Sequence, residues 1–456
     1  MSWRDLDLLL IKNNSMSTNR VMPLTAENVI TRAAPTDEQP HRISITPLLK
    51  ALSAPPPYTH VPARSIALAW ARTFENHLSH TQLAALLTLL CSTGLDKHPD
   101  VIAECAEAMR DAAAPVDYKR ISQVLGKRKR ERGAYRGGLC DIVGTGGDAH
   151  STFNISTTSS IIASALLAIA KHGNRAQTSM AGSADVLKAV TPRPPILENL
   201  MAEHLPKAYE NSNYTFLFAP NFHSGMRYAA TVRRELGLRT IFNLMGPLAN
   251  PIHNLIEVRV LGVAYQELGP VFAQALQKKG ISKAMVVCGA EDLDEISCAG
   301  RTNCWWLQEI LNPKYQKSGS DDNDTSDDDT EPKYTSKLES FSLEPADFGL
   351  PTHPLSEVGG GKGPRENAKV LLSILKNEMD RDHPILHFVL MNVAALLVVS
   401  GITESDSSEY GEVIQDRGPA GGRWKEGLRL ARYCLESGKA LQEFERFIDL
   451  THSIQV

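Results

Sequence analysis

Beyond residue 140 the chain alternates short, wholly apolar runs with longer segments of helical period, and this alternation predicts an α/β domain. Asp141, Ile142 and Val143 read as a short buried strand, broken at once by Gly144-Thr145-Gly146-Gly147-Asp148. Ile161, Ile162, Ala165, Leu166 and Ile169 then share one face of a predicted helix. Tyr214 to Ala219 (YTFLFA), Val258 to Val263 and Ala284 to Val287 read as further strands, the last leading into Gly289. A helix is predicted from about Ser224 to Leu236, stopped by Gly237, and Gly246, Pro247 and Pro251 point to a loop over Arg239 to Pro251. Toward the end, Glu366 to Asn377, Leu386 to Ser400, Trp424 to Ser437 and Ala440 to Ile448 carry helical patterns. The second of these is nearly all apolar and is therefore predicted to be buried.

Upstream the pattern is helical only. Ile43 to Leu52, Ala63 to His77, a third helix capped by Ser79 or Thr81, and a fourth from Pro99 to about Ala112 make a small all-helical unit. The predicted organisation is a disordered extension over 1–42, a helical domain over 43–118, a linker over 119–138 and an α/β domain over 139–456. Part of 220–240 is expected to pack with the helical domain. Ser318 to Glu331 (SGSDDNDTSDDDTE) lacks the glycine and closing glutamate of an EF-hand loop, so 318–335 is predicted to be a disordered, solvated insertion.

Composition narrows the classes. With 48 Lys plus Arg against 52 Asp plus Glu in 456 residues, nothing favours a nucleic-acid or membrane-surface protein, and any anion site must be local. The basic run Lys127-Arg128-Lys129-Arg130 reads as a solvated interdomain loop. The seven cysteines are scattered and contain no CxxC pair, which argues against a disulfide framework or a zinc site and for a reducing, cytoplasmic setting. No apolar run reaches the ~18 residues of a membrane span, and Leu8 to Ile11 is too short for a secretory leader.

Candidate chemistry concentrates between Asp141 and Arg175. Three glycines after a strand let the backbone turn sharply and approach a ligand, and the following helix start, with Asn154, Ser156, Thr157 and Thr158 as capping candidates, suits a phosphate. Neither the dinucleotide fingerprint nor the Walker A spacing is met. Lys171, His172, Gly173, Asn174 and Arg175 add a polar, cationic group behind the apolar run. After the strand ending near Gly289, Glu291-Asp292-Leu293-Asp294-Glu295 places four carboxylates in one turn, costly unless water or a cation screens them. Gly359-Gly360-Gly361-Lys362-Gly363 has no hydroxyl residue after its lysine and no clear strand before it, and reads as a flexible loop.

The ordered set GTGGD, NIST, KHGN and GSADVL (Gly182 to Leu187) resembles the anthranilate phosphoribosyltransferases of tryptophan biosynthesis. The block from Phe216 to Pro251 and LDEIS from Leu293 to Ser297 extend the resemblance over about Ile43 to Ile448. It implies a small helical domain beside a larger α/β domain with a central sheet flanked by helices, the active site in the cleft between them, and a homodimer. It also implies transfer of the phosphoribosyl group of 5-phosphoribosyl 1-diphosphate to the amine of anthranilate, with Mg²⁺ as cofactor. By motif, Gly144, Gly147, Asp148, Thr152, Asn154, Ile155, Ser156, Thr157, Lys171, Ser179 and Ser183 would hold the phosphoribosyl diphosphate. Gly144, His172, Asn174, Arg233 and Gly246 would serve anthranilate, and Ser156, Asp294 and Glu295 the magnesium. The chain departs from the usual pattern at Met180, Ser224, Cys288 and Asp292, where lysine, proline, histidine and glycine are common.

The chemistry agrees with the resemblance. An aromatic amine is already neutral at physiological pH, so the demanding task is stabilising a departing diphosphate and a cationic sugar carbon, not deprotonating a nucleophile. No general acid or base is assigned. A pyrimidine nucleoside phosphorylase shares a related fold but would carry a different phosphate loop, and a silent nucleic-acid-binding relative would need a basic groove that a net charge of −4 does not favour.

Overall fold

The computed structural model describes residues 31–32, 42–148, 150–176, 181–315, 333–360 and 363–454. In chain order the elements begin with β1 (Thr31–Arg32), β2 (Ile43–Ser44), α1 (Thr46–Leu52), α2 (Ala63–Ala71), α3 (His80–Thr93), α4 (Pro99–Asp111) and α5 (Tyr118–Lys127). There follow β3 (Leu139–Gly144), α6 (Ile155–Ala163), β4 (Ala168–Gly173), α7 (Ser183–Lys188), α8 (Leu205–Asn211), β5 (Tyr214–Phe218), α9 (Ala219–Phe222), α10 (Arg227–Leu236) and α11 (Ile241–Met245). The chain continues through β6 (Ile256–Gly262), α12 (Leu268–Lys278), β7 (Ala284–Gly289), β8 (Thr302–Leu311), β9 (Tyr334–Leu343), α13 (Pro364–Leu375), α14 (Pro384–Ser400), α15 (Trp424–Glu436) and α16 (Lys439–Ser453).

Two compact units result: Met1–Ala112 with Gly225–Ile241, and Ala113–Ser224 with Phe242–Val456. In the first, α2 packs on α4, while α1 and α10 pack on α3. The Ser79 hydroxyl accepts from the Gln82 N–H at 3.2 Å and caps α3, and Gly94 ends that helix in the left-handed region at φ 73°. Trp70 and Phe74 meet edge to face at 4.9 Å. Ile43 and Ser44 pair with β1 before α1 begins, where a continuous helix from Ile43 was expected; most of the predicted disordered extension lies outside the described residues.

The second unit is built on a seven-stranded sheet of order β5-β4-β3-β6-β7-β8-β9. The first five strands are parallel, and β8 and β9 join antiparallel. Parallel strands need crossovers that cover the faces, so the central strands are mostly apolar, with Asp141 of β3, Lys171 and His172 of β4, and Glu257 and Arg259 of β6 as the exceptions. Helix α14 packs against α6, α15 and β6, and every residue from Ile385 to Ser400 is buried, which is why its pattern shows no polar face.

Several expectations are corrected. The helix carrying Ile161 stops at Ala163, and Ile169 belongs to β4, because Leu167 to Ala170 form a run buried on both sides as a central parallel strand requires. The segment read as a linker contains α5, and two arginines of its basic run are structural. Arg128 donates to the carbonyls of Tyr209 and Ser212 at 2.7 and 2.9 Å, and Arg130 bonds the Asn213 side chain. The loop over Arg239 to Pro251 contains α11.

The hairpin of β8 and β9 was not foreseen. Tyr334 and Thr335 lie within β9, so the predicted disordered insertion overlaps that strand; residues 316–332 are outside the described set. Leu311 pairs with Tyr334, and Asn312 N–H donates to the Lys333 carbonyl at 3.0 Å. The hairpin is anchored away from its tip, where Trp424 meets Trp306 at 5.8 Å and Phe348 at 5.6 Å. Replacing residues 316–332 with a short glycine-containing turn is therefore expected to move the melting temperature by no more than about 2 °C, since loop-closure cost depends weakly on length. A thermal melt of the shortened chain checks this.

Candidate active site

Strand order reverses between β3 and β6. The chain runs from β3 outward through β4 and β5, then returns to lay β6 on the other side of β3. In open α/β sheets the crevice outside the carboxyl ends at such a point is where ligands bind. Here both strands end in glycine, at Gly144 and Gly262, which are directly opposite. A Cβ on Gly144 would fall 2.2 Å from Asp294 Oδ2, and one on Gly262 1.6 Å from the Asp294 carbonyl oxygen. The two glycines thus let the acidic turn after β7 lie directly on the strand ends.

Past Gly144 the chain turns through Gly146 and Gly147 at φ 69° and 74°, a region that glycine enters without steric cost. Gly146 N–H donates to Asp294 Oδ2 at 2.6 Å, and Ser156 N–H, in the first turn of α6, donates to Glu295 Oε1 at 3.2 Å. The two carboxylates are therefore held between the glycine turn and a helix N-terminus. Burial, and after it the charge of Asp148, pushes Asp294 up to about 7. Burial and the neighbouring Asp294 raise Glu295 well above the usual carboxylate range. Both carboxylates therefore favour their neutral forms unless further positive charge is supplied. Asn392 of α14 steadies the acidic turn from behind: its side chain accepts from Ile296 N–H at 3.0 Å and donates to the Ile296 carbonyl at 3.1 Å. Asp292, where glycine is usual, sits at φ 61°, a conformation that aspartate tolerates better than most residues.

Strand β4 delivers Lys171 and His172, both buried. Burial lowers the Lys171 pKa against the pull of Asp141, Glu295 and Asp294. Asp141, on the adjacent β3, accepts from the Asn250 amide at 2.9 Å and is itself raised by burial. Burial, with His223 beside it, pushes His172 down to about 3, so the ring is neutral; its Nδ1 lies 3.3 Å from the Gly246 carbonyl, and Nε2 is buried with no hydrogen-bond partner among the described residues. Asn174 receives the Arg175 N–H on its side chain, and its carbonyl accepts from Ser183 Oγ at 3.1 Å.

The structure brings Gly144, Gly147, Asp148, Ser156, Lys171, Asp294 and Glu295 to one end of the sheet. Asn154 stands at the N-cap of α6 without a side-chain cap bond; its amide donates instead to the Ala181 carbonyl at 3.1 Å. Ile155 and Thr157 are buried in the first turn of α6. Thr152 pairs with Gly359, so the glycine run read as a flexible loop is in part a strand partner of the site loop. Ser179, with Met180, lies outside the described residues. Arg233 lies on α10 of the first unit, half-buried, its pKa lowered by burial. Asp141 and Asn250 were missed as supporting residues; a carboxylate inside an apolar strand (LCDIVG) was the available signal.

Residues 136–321 and 318–441 match a family described as "Glycosyl transferase family, a/b domain". The chain is 35% identical over 388 residues to the anthranilate phosphoribosyltransferase of Schizosaccharomyces pombe, covering 85% of this chain and 92% of that one. It is 33% identical to the enzyme of that name from Saccharomyces cerevisiae, over 82% and 87% of the two chains. The chain belongs to the anthranilate phosphoribosyltransferase family. It is an enzyme of the glycosyltransferase kind. Among solved members of the family, the Saccharomyces cerevisiae protein in complex with PRPP and Mg superposes with a TM-score of 0.69 at 29% identity, over 90% of this chain and 98% of that one. The Thermus thermophilus anthranilate phosphoribosyltransferase superposes at 0.65 and 31% identity. The mixed α/β fold with its seven-stranded sheet is thus the fold of the anthranilate phosphoribosyltransferases.

Proposed function

We propose that this anthranilate phosphoribosyltransferase joins anthranilate to 5-phosphoribosyl 1-diphosphate at the β3–β6 strand ends, with Asp294 and Glu295 as its Mg²⁺ seat. The amine nitrogen forms a bond to the sugar C1, the C1–O bond to diphosphate breaks, the leaving group takes the electron pair, and the amine loses a proton. The observation that carries the reading is the buried acidic pair lying against the glycine turn and the α6 N-terminus, raised in pKa by burial and by the neighbouring carboxylates.

Carboxylate oxygens and the Ser156 hydroxyl are the hard donors magnesium prefers. Among the described residues no group of three His, Cys, Asp or Glu could hold a metal by itself, which suits an ion that takes its remaining ligands from water and substrate phosphates. When bound, the ion supplies neutralising charge to the departing diphosphate. Gly144, Gly147, Asp148, Thr152, Asn154, Ile155, Ser156, Thr157, Lys171, Ser179 and Ser183 hold the phosphoribosyl diphosphate in this reading, through backbone N–H groups, hydroxyls and one ammonium. Neutral His172 lines the path of anthranilate with Gly144 and Gly246, and Asn174 and Arg233 bind it. The small helical domain, the cleft beside it, a homodimer and a cytoplasmic setting complete the reading. All seven cysteines are free thiols, and no helix among the described residues is long and apolar enough to cross a membrane.

The direct test follows the loss of anthranilate fluorescence on adding 5-phosphoribosyl 1-diphosphate and Mg²⁺. No loss with both components present would overturn the reading. Arg233→Ala is expected to raise the KM for anthranilate about tenfold or more while leaving that for the phosphoribosyl diphosphate nearly unchanged, since a guanidinium fork suits a carboxylate. Equal losses for both substrates would show the assignment to be wrong.

A further inference from the structure

The glycine run after Val358 is a sequence motif the proposed function leaves unused, and the structure puts its Gly359 and Gly360 beside the site loop. Phe153 N–H donates to the Val358 carbonyl at 3.1 Å, and Gly360 N–H donates to the Ser151 carbonyl at 2.8 Å. These two bonds flank the Thr152–Gly359 pair and make one antiparallel bridge. Both ends of this strap are anchored. Val358 is fully buried in the core, and buried Asn367, in the first turn of α13, donates from its side chain to the Gly363 carbonyl at 3.2 Å. The bridged loop leads straight into α6: Ile155 N–H donates to the Phe153 carbonyl at 2.7 Å, and Ser156 follows.

The two bridge glycines, Gly359 and Gly360, are not equivalent. A Cβ on Gly359 would have nothing nearer than the Ser151 carbonyl oxygen at 3.9 Å. One on Gly360 would lie 3.0 Å from the Thr152 carbonyl oxygen and 3.2 Å from Asn367 Oδ1, so either the site loop or the anchor would have to move. We propose that Gly360 is a positioning residue for the diphosphate loop: its bare Cα lets the strap close on Ser151 to Phe153 and so fixes Thr152, Asn154 and the start of α6. This rests on the reading of that loop given above.

The experiment compares Gly360→Ala and Gly360→Val with Gly359→Ala in the full chain, in steady-state kinetics and amide hydrogen exchange. Gly360→Val is expected to raise the KM for 5-phosphoribosyl 1-diphosphate about tenfold or more, Gly360→Ala less, with the KM for anthranilate and the melting temperature nearly parental, because displacements well under 1 Å at a binding loop are felt. Gly359→Ala should match the parent throughout. Exchange at Phe153 and its neighbours should quicken in Gly360→Val and not in Gly359→Ala. A parental diphosphate KM in Gly360→Val, equal losses at both glycines, or unchanged exchange at Phe153 would overturn the proposal. The exchange measurement needs no substrate, so it decides on the strap even if the parent fails to transfer phosphoribose, a failure that would fall on the proposed function instead.

Discussion

Asp294→Asn combined with Glu295→Gln is expected to lower kcat by about 10²-fold or more, on the scale seen when an oriented charge-stabilising group is removed. It should also abolish the response of rate to Mg²⁺ concentration. The substitutions keep the shapes and acceptors that Gly146 N–H and Ser156 N–H use, so the turn should persist. Turnover and Mg²⁺ response like the parent's would remove both residues from the metal seat.

The same variant has a second readout that needs no catalysis. Asp294 is raised to about 7 in the folded chain and Glu295 well above its usual range, whereas both return to ~4 on unfolding. A group whose folded pKa is raised contributes stability that is fully present below the unfolded value and lost as pH climbs through the folded one. Without metal, the parent therefore loses this contribution between about pH 4 and pH 7 and beyond, while the variant does not. The melting temperature of the variant minus that of the parent should rise across that window. Adding Mg²⁺ should close the gap by stabilising the parent alone. A flat difference would show that the pair is already solvated.

How much of this was legible beforehand follows from the physics of each element. The strands β3, β5, β6 and β7 were readable because parallel strands covered on both faces are short apolar runs, and α14 because a buried helix has no polar side. The end of α6 was not, because Leu166 and Leu167 fit a helical face as well as a turn into β4, and only the pairing of Ile169 with Cys140 and Tyr214 settles it. Strands β8 and β9 were hidden for a different reason: with residues such as Trp305, Gln308 and Glu309 half-buried or alternating, their pattern lacks the apolar run of a central strand. The motifs of the candidate site could be read along the chain, but not how they assemble. That Gly144 and Gly262 are glycines to admit Asp294 is a fact of two distant strands lying side by side, which spacing along one chain does not express.

Lys171→Met is expected to lower kcat/KM for 5-phosphoribosyl 1-diphosphate by about 10²-fold or more, with a smaller effect on anthranilate, because it removes a buried ammonium beside the acidic pair that the proposed function gives to the diphosphate. The folded chain already resists that charge: burial lowers the Lys171 pKa and raises that of Asp141, so their mutual attraction does not cover the cost of taking both out of water. Removing the lysine leaves Asp141 with the Asn250 amide on Oδ2, the charge of Arg259 and the His172 N–H as the groups that still favour its ionised form. Its folded pKa should then rise further, and stability should fall as pH rises from about 4 through that raised value. Lys171→Met should accordingly lose more of its melting temperature than the parent does as pH climbs from about 4. Adding Asp141→Asn should erase that extra pH dependence and leave diphosphate binding as poor as before, because the lysine serves the substrate while the aspartate serves the lysine. Recovery of binding in the double variant would reverse those two roles.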